Sequence, residues 1–207
     1  GVVKGDIVDL AAAAPALAQA LHDAETQLGG AKISSAAVSL SGAALDSLHA
    51  PAAVELDEAV TAEDLEKAKA IARATPLPEG HEPICTIPGL SRVDGAPTSR
   101  PVDMPGSRLE TDMLIVHHAR SNMLRFKAAL DAEELRLEEI YFSGLCAATA
   151  ALAPEEKAAG AVLIDLGAGT TDFVAYAART IADAGAIAVG GNHFTRSEEH
   201  TSELQSL

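Results

Sequence analysis

The sequence has few aromatic residues and no tryptophan. Phe, Trp and Tyr make up 3% of the 207 residues, whereas hydrophobic residues as a whole make up 48%. The core must therefore be built from Ala, Val, Leu and Ile, which is ordinary for an α/β protein. The length suits one large domain or two small ones.

Basic residues are scarce as well. The chain carries 15 Lys and Arg against 30 Asp and Glu, a formal net charge of −15. Binding to a phosphate backbone needs stripes of Lys and Arg, and the sequence has none. We therefore expect no nucleic-acid partner.

Two further scarcities concern cysteine and long apolar runs. Cys85 and Cys146 lack the spacing of a metal or redox motif, and we interpret them as reduced thiols of a cytosolic protein, with a disulfide as the alternative. No apolar run approaches the roughly 20 residues of a membrane span. The chain opens at Gly1 without Met and reads as a fragment.

The last twelve residues differ from the rest of the chain. They are polar and show no periodicity, and they read RSEEHTSELQSL. Arg196 to Ser206 is similar to one translated frame of a common sequencing adapter, and a natural disordered tail is the alternative. We predict that residues 196–207 are a non-native tail outside the fold.

The first forty residues predict a helix and a strand. Apolar residues recur at helical spacing over 10–28, so the helix either starts near Pro15 or is kinked there, and Gly29 and Gly30 stop it. The strand alternates between an apolar and a small polar face and reads ISSAAVSLSG.

Residues 44–119 differ in character and predict a compact insertion module. Thr61 is placed as the N-cap of a helix with Asp64 in its first turn. A stretch rich in Pro and Gly follows over 76–106; it is either a disordered linker or an ordered insertion, and its apolar residues favour the second. The predicted order is strand, helix, strand, strand.

The rest of the chain returns to alternating helices and strands. A helix is predicted over 121–136, then a strand and a short helix, and then a buried strand, a hairpin partner and a last strand, which read AVLIDL, DFVAYAA and DAGAIAVGG. Alternation of this kind predicts an α/β layered fold.

The turn between the buried strand and its partner has an unusual composition. Asp165 ends an apolar run, which is unfavourable unless something pairs with it. Gly167 and Gly169 permit a tight turn with exposed N–H groups, and Thr170 and Thr171 add hydroxyl donors. Such a hairpin can wrap a phosphate while Asp165 holds a hydrated Mg²⁺.

The alternative is a plain tight hairpin in which Asp165 satisfies amides of the turn. Asp172, on the outgoing strand, is interpreted as a structural residue or as one that contacts the metal ligands rather than the metal. The motif is neither a P-loop nor a dinucleotide fingerprint, because no Gly-Lys-Ser/Thr follows and a strand rather than a helix comes next.

The hairpin resembles the second phosphate motif of the actin, Hsp70 and sugar-kinase ATPase superfamily, through the residues DLGAGTTD. Four other segments resemble FtsA, the actin-like bacterial cell-division family, in the same order and spacing. They read GVVKGDIVDL, ISSAAVSLSG, SRLETDMLIVHHARSN and AIAVGGNHFT. The resemblance covers residues 1–195.

This resemblance implies a partial actin-like ATPase fold with two lobes around an ATP cleft. The implied regions are 1–43 in the first lobe, 44–119 as the inserted strand–helix–strand–strand module, 120–160 as the return to the first lobe, and 161–195 as the start of the second lobe. The first phosphate hairpin and everything after Thr195, including the adenine site, are missing from the pattern.

The resemblance also implies which residues contact Mg-ATP. They are Asp165, Gly167, Ala168, Gly169, Thr170, Thr171, Gly190 and Gly191, with Asp165 holding Mg²⁺ through water. Ala168 stands where the commonest motif has Gly, and its small side chain still permits the turn. The resemblance leaves the catalytic residues unknown and implies a weak ATPase at most.

FtsA proteins form filaments on the cytoplasmic side of the inner membrane at the division site. They anchor by a C-terminal amphipathic helix and link the FtsZ ring to the membrane, and the inserted module is implied to contact other divisome proteins. Two alternatives share the hairpin: an actin-like adaptor of type IV pilus assembly, and a kinase of the same superfamily.

His117 and His118 are the remaining candidates for a site. Adjacent residues on a strand point to opposite faces, so these two cannot share a metal. We interpret them as structural.

Overall fold

The computed structural model describes residues 1–193, so the predicted tail at 196–207 lies outside the described residues. Helices and strands are interspersed along the chain, as expected for an α/β protein. In chain order they are β1 (Val2–Val3), β2 (Asp6–Ile7), α1 (Leu10–Gln27), β3 (Ser35–Leu40), β4 (Leu45–Glu55), α2 (Ala62–Arg73), β5 (His81–Pro88), β6 (Ser91–Val93), β7 (Ala96–Thr98), β8 (Arg108–Ala119), α3 (Arg120–Ala132), β9 (Arg136–Phe142), α4 (Ser143–Ala151), α5 (Pro154–Ala159), β10 (Ala161–Leu166), β11 (Thr171–Ala177) and β12 (Thr180–Ile187).

Helix α1 begins before Pro15 and runs through it. Asp9 is its N-cap, and the Asp9 carboxylate accepts a hydrogen bond of 3.1 Å from the Ala12 amide. This cap fixes the start five residues ahead of the proline, which settles the alternative left open by the sequence. Gly29 and Gly30 then adopt φ of 71° and 85°, which end the helix as predicted.

Helix α3 is shorter than the sequence predicted. The prediction extended it to residue 136, but it ends at Ala132 because Glu134 takes a left-handed φ of 56°. The Leu135 amide then donates to the Leu130 carbonyl at 3.0 Å and the Glu134 amide to that of Asp131 at 3.1 Å. This is a Schellman motif, and its apolar partners Leu130 and Leu135 are both buried.

The insertion module is an antiparallel sheet with one helix across it. Strands β4 and β8 pair from Leu45↔His118 to Glu55↔Arg108, so the two ends of the module lie side by side. Thr61 and Asp64 form a reciprocal capping box at the start of α2, which confirms the predicted cap. The exact limits of 44 and 119 stay a prediction.

The stretch rich in Pro and Gly is an ordered part of this sheet. It contains β5, β6 and β7, and β5 and β6 pair with β8. Two apolar clusters lie between the sheet and α2, one made of Ala50, Ala52, Ala72, Met113 and Ile115, and the other of Val54, Val60, Ala68, Val93 and Leu109.

The last region is the three-stranded antiparallel sheet β10–β11–β12. The prediction that β10 is a buried strand is wrong: Val162, Ile164 and Leu166 are 62%, 67% and 60% exposed. Strand β10 forms the edge of the sheet. Only the face that carries Leu163 packs on the core.

One core cluster joins the three regions. It combines residues of the module, of β9 and α4, and of the last sheet: Leu45, Leu114, Val116, Phe142, Ala148, Val174 and Ala184. Strand β3 pairs in parallel with β9, which places Ser41, the residue after β3, beside the same cluster. Within residues 1–193, no helix combines the length and apolarity that a membrane crossing requires.

Candidate nucleotide site

The residues of the predicted hairpin meet at one end of the last sheet. Strands β10 and β11 pair with Leu166 opposite Thr171 and Asp165 opposite Asp172. The Gly167 amide donates to the Thr170 carbonyl at 2.9 Å, which closes the turn.

Gly190 and Gly191 lie against this hairpin. The Gly191 amide donates to the Gly167 carbonyl and the Asn192 amide to the Ala168 carbonyl, both at 2.9 Å. A Cβ on Gly190 would lie 2.5 Å from the Gly167 oxygen, so this position requires glycine. The structure therefore brings together the two glycine segments that the sequence placed in one site.

Three consecutive amides of the hairpin, those of Ala168, Gly169 and Thr170, donate no hydrogen bond to the part of the chain that the structure describes. Because a trans peptide directs its C=O and N–H to opposite sides, the bonds to Gly191 and Asn192 turn the N–H groups of Ala168 and Gly169 away from them. Consecutive free amides of this kind are suited to an anion.

The hydroxyl groups of the hairpin are held by the surrounding chain. The Thr171 hydroxyl donates to the Val189 carbonyl at 2.7 Å, so its single proton is engaged and shapes the turn. Ser41 Oγ lies 3.2 Å from Thr170 Oγ1 and donates to the Asp172 carboxylate. Sequence reasoning missed Ser41, which is 131 positions from Asp172 in the chain.

The two carboxylates of the site differ in environment. Asp165 is exposed, whereas Asp172 is buried at 3% exposure. Burial raises the pKa of Asp172, and the Asp165 charge adds to the effect, while the Ser41 hydrogen bond opposes it. Directly opposed like charges on paired strands are unfavourable, so a cation beside them would be stabilising.

The turn between β1 and β2 also touches the hairpin, which the sequence did not reveal. A Cβ on Gly169 would lie 3.3 Å from Lys4 Cα. The Ala43 amide donates to the Lys4 carbonyl at 3.0 Å, which ties this turn to the chain that follows Ser41.

This arrangement fits Mg-ATP at the level of its donor groups. The unpaired amides of Ala168, Gly169 and Thr170 are donors of the kind that a phosphate would need, and Asp165 has carboxylate oxygens of the type that Mg²⁺ prefers. Among the described residues, no group of three or more His, Cys, Asp and Glu could hold a metal. A magnesium ion here would therefore take its ligands from phosphate and water. Asp165 would contact the ion through one of those waters, as predicted.

His117 and His118 point to different partners. His117 Nδ1 lies 2.9 Å from His81 Nδ1. Burial lowers the pKa of His117, and the nearby His81 lowers it further. His118 Nε2 lies 3.2 Å from Asp6 Oδ1 on the other face. The two side chains therefore have separate surroundings, as expected for adjacent residues of one strand.

A solved structure shares the fold of this chain. The chain matches the "PilM-PilN type IV pilus biogenesis complex" with a TM-score of 0.63 and 18% identity, over 94% of this chain and 53% of that one. At this identity the likeness shows the fold alone, a partial actin-like ATPase fold, as predicted.

Sequence similarity then relates the chain to one family of cell-division proteins. Residues 42–117 match the family model described as "SHS2 domain inserted in FTSA", which overlaps the predicted module. The cell division protein FtsA of Borreliella burgdorferi is 29% identical over 94% of this chain and 48% of its own length. FtsA of Neisseria meningitidis is 28% identical over 95% and 48%, and FtsA of Escherichia coli K12 is 24% identical over 94% and 47%.

The resemblance to FtsA that the motifs indicated is therefore confirmed, and the findings support an actin-like cell-division protein. The chain spans about half the length of the curated relatives it matches.

Proposed function

We propose that this chain supplies the phosphate-binding part of the nucleotide site of an actin-like cell-division protein, and that the ligand is Mg-ATP. The observation that carries the proposal is the row of free amides at Ala168, Gly169 and Thr170, beside the exposed carboxylate of Asp165. Amides fixed in one direction bind a phosphate without reorganisation, and the carboxylate offers oxygen to a hydrated Mg²⁺. Nucleotide binding, rather than rapid hydrolysis, is the activity that we assign.

The proposed role in the cell is that of a scaffold. The protein would form filaments on the cytoplasmic side of the inner membrane and link the FtsZ ring to it during septum assembly. Attachment would use a C-terminal helix, and the insertion module would contact other divisome proteins. The support is the similarity to FtsA over most of this chain, together with the match of residues 42–117 to the domain inserted in FtsA.

The pilus-assembly adaptor is the second candidate, and it is favoured only by the fold of PilM. The FtsA relatives share 24–29% identity with this chain, against 18% for that structure. We therefore retain the division scaffold. Extending the gene at both ends discriminates the two, because a terminal amphipathic helix would favour the FtsA role.

The test is Asp165→Ala in the protein extended to the length of its FtsA relatives. Loss of one preorganised electrostatic contact should weaken Mg-ATP binding by about 2–4 kcal/mol and reduce filament formation, by analogy with such contacts at catalytic sites. Isothermal titration calorimetry measures the affinity, and light scattering measures assembly. The 207-residue chain should bind Mg-ATP more weakly than the extended protein.

Asp131→Ala is the matched control. Asp131 is exposed on α3, so the substitution removes the same charge away from the hairpin. Equal affinity for Mg-ATP in the wild type and Asp165→Ala would show that the hairpin is only a turn.

A further inference from the structure

Lys4 occupies a fixed position at the tip of the β1–β2 hairpin. Val3 pairs with Asp6, so Lys4 and Gly5 form a two-residue turn, with φ of 50° and 82°. Positive φ at both central residues is the requirement of a type I′ turn. The bond from the Ala43 amide to the Lys4 carbonyl then anchors the turn to the chain after Ser41.

The Lys4 side chain runs beside the free amides. A Cβ on Gly169 would lie 3.3 Å from Lys4 Cα and 3.8 Å from Lys4 Cγ, so the backbone and the stem of Lys4 both lie along Gly169. The Gly169 amide belongs to the row that donates no hydrogen bond among the described residues. A flexible four-carbon stem lets the ammonium group reach an anion bound to those amides.

The side chains around the hairpin are acidic, so the Lys4 ammonium group could offset the negative charge of a bound phosphate. Asp165 and Asp172 are the titratable side chains of the hairpin strands nearest the turn, and both are acidic. A polyphosphate brought next to them adds further negative charge, which needs compensation by cations. Lys4 is exposed and makes no ion pair among residues 1–193, so its charge is available.

We propose that Lys4 is a specificity-determining residue that binds the phosphate chain held by the amides of Ala168, Gly169 and Thr170, and that it favours polyphosphate over monophosphate ligands. The inference rests on the proposed nucleotide binding. It adds that the Lys4 ammonium group selects polyphosphate over monophosphate. Lysine acts here as a point charge, and its contribution grows with the number of phosphates within reach.

The experiment is an NMR titration of the 207-residue chain that follows the amide signals of Ala168, Gly169 and Thr170. This readout reports weak binding at the site itself. The ligands are sodium tripolyphosphate, Mg-ATP, AMP and adenosine, which separate the phosphate chain from the nucleoside. The variants are Lys4→Gln and Lys4→Arg, and Lys67→Gln is the control because Lys67 is exposed on α2 and its loss changes the net charge equally.

Lys4→Gln should weaken binding of tripolyphosphate and Mg-ATP by about tenfold, since one charge-assisted contact is lost. It should weaken AMP less and leave adenosine unchanged. Lys4→Arg should restore most of the affinity, and Lys67→Gln should match the wild type. Circular dichroism with thermal unfolding checks that each variant is folded.

Two results would overturn the inference, and they are distinguishable. If tripolyphosphate shifts the three amides equally in the wild type and Lys4→Gln, Lys4 does not contact the ligand, and the nucleotide site stands. If neither tripolyphosphate nor Mg-ATP shifts the amides of the wild type, the phosphate site itself is refuted, and the role of Lys4 is refuted with it.

Discussion

The insertion module and the β10–β12 sheet bury their apolar residues in different ways. The module covers its sheet with its own helix, α2, and encloses two apolar clusters. The β10–β12 sheet buries one face on the shared core, and its other face exposes Val162, Ile164 and Leu166.

The comparison teaches that the two regions differ in self-sufficiency. The module closes its core locally, because β4 and β8 pair along their whole length and return the chain to its starting point. The sheet that carries the hairpin depends on packing partners outside its own strands.

The largest effect that we expect is on stability, and it separates the two regions. Leu109→Ala removes a side chain with 0% exposure from the module and should lower the free energy of unfolding by about 2–5 kcal/mol. Leu166→Ala makes the same chemical change on the exposed face and should cost less than about 1 kcal/mol. Urea unfolding followed by circular dichroism measures both. An equal cost for the two variants would contradict the contrast between the regions.

The next effect concerns the contact between the hairpin and the segment after β12. Gly190→Ala should destabilise the protein by about 1–3 kcal/mol, because its Cβ would lie 2.5 Å from the Gly167 oxygen and backbone atoms must shift. Gly191→Ala is the matched control, since its Cβ would lie 3.8 Å from the same oxygen. Thermal unfolding and the amide signals of the hairpin report the change. Similar behaviour of the two variants would mean that Gly190 does not hold the hairpin in place.

The smallest effect is a pH dependence that arises from Asp172. Its pKa in the folded protein is raised above the ordinary value of 3.8, mainly by burial. A raised folded pKa contributes stability at low pH that is lost as pH rises through that pKa, by about 1.4 kcal/mol for each unit of difference. Asp172→Asn lacks this loss, so its stability relative to the wild type should increase as pH rises above 3.8.

Urea unfolding of both proteins across this pH range measures the difference, and Asp131→Asn serves as the exposed control. A difference in stability that stays constant with pH would contradict the assigned environment of Asp172.

Local patterns in the sequence determined several features of this protein. The capping box at Thr61 and Asp64, the alternation of β3 and the tight turn between Asp165 and Thr171 depend on residues within a few positions of each other. Such features follow from helix and strand periodicity and from the conformational freedom of glycine, and these act over short distances in the chain. The residues of the hairpin also indicated the actin-like class.

Only the tertiary structure decided the remainder. The contact of Ser41 with Asp172 and that of Lys4 with Gly169 join residues far apart in the chain, and no local pattern encodes them. The exposure of β10 was mispredicted for a related reason: an apolar run has the same composition whether one face of its strand is covered or both. Burial depends on which elements pack against a strand, and that is a property of the assembled fold.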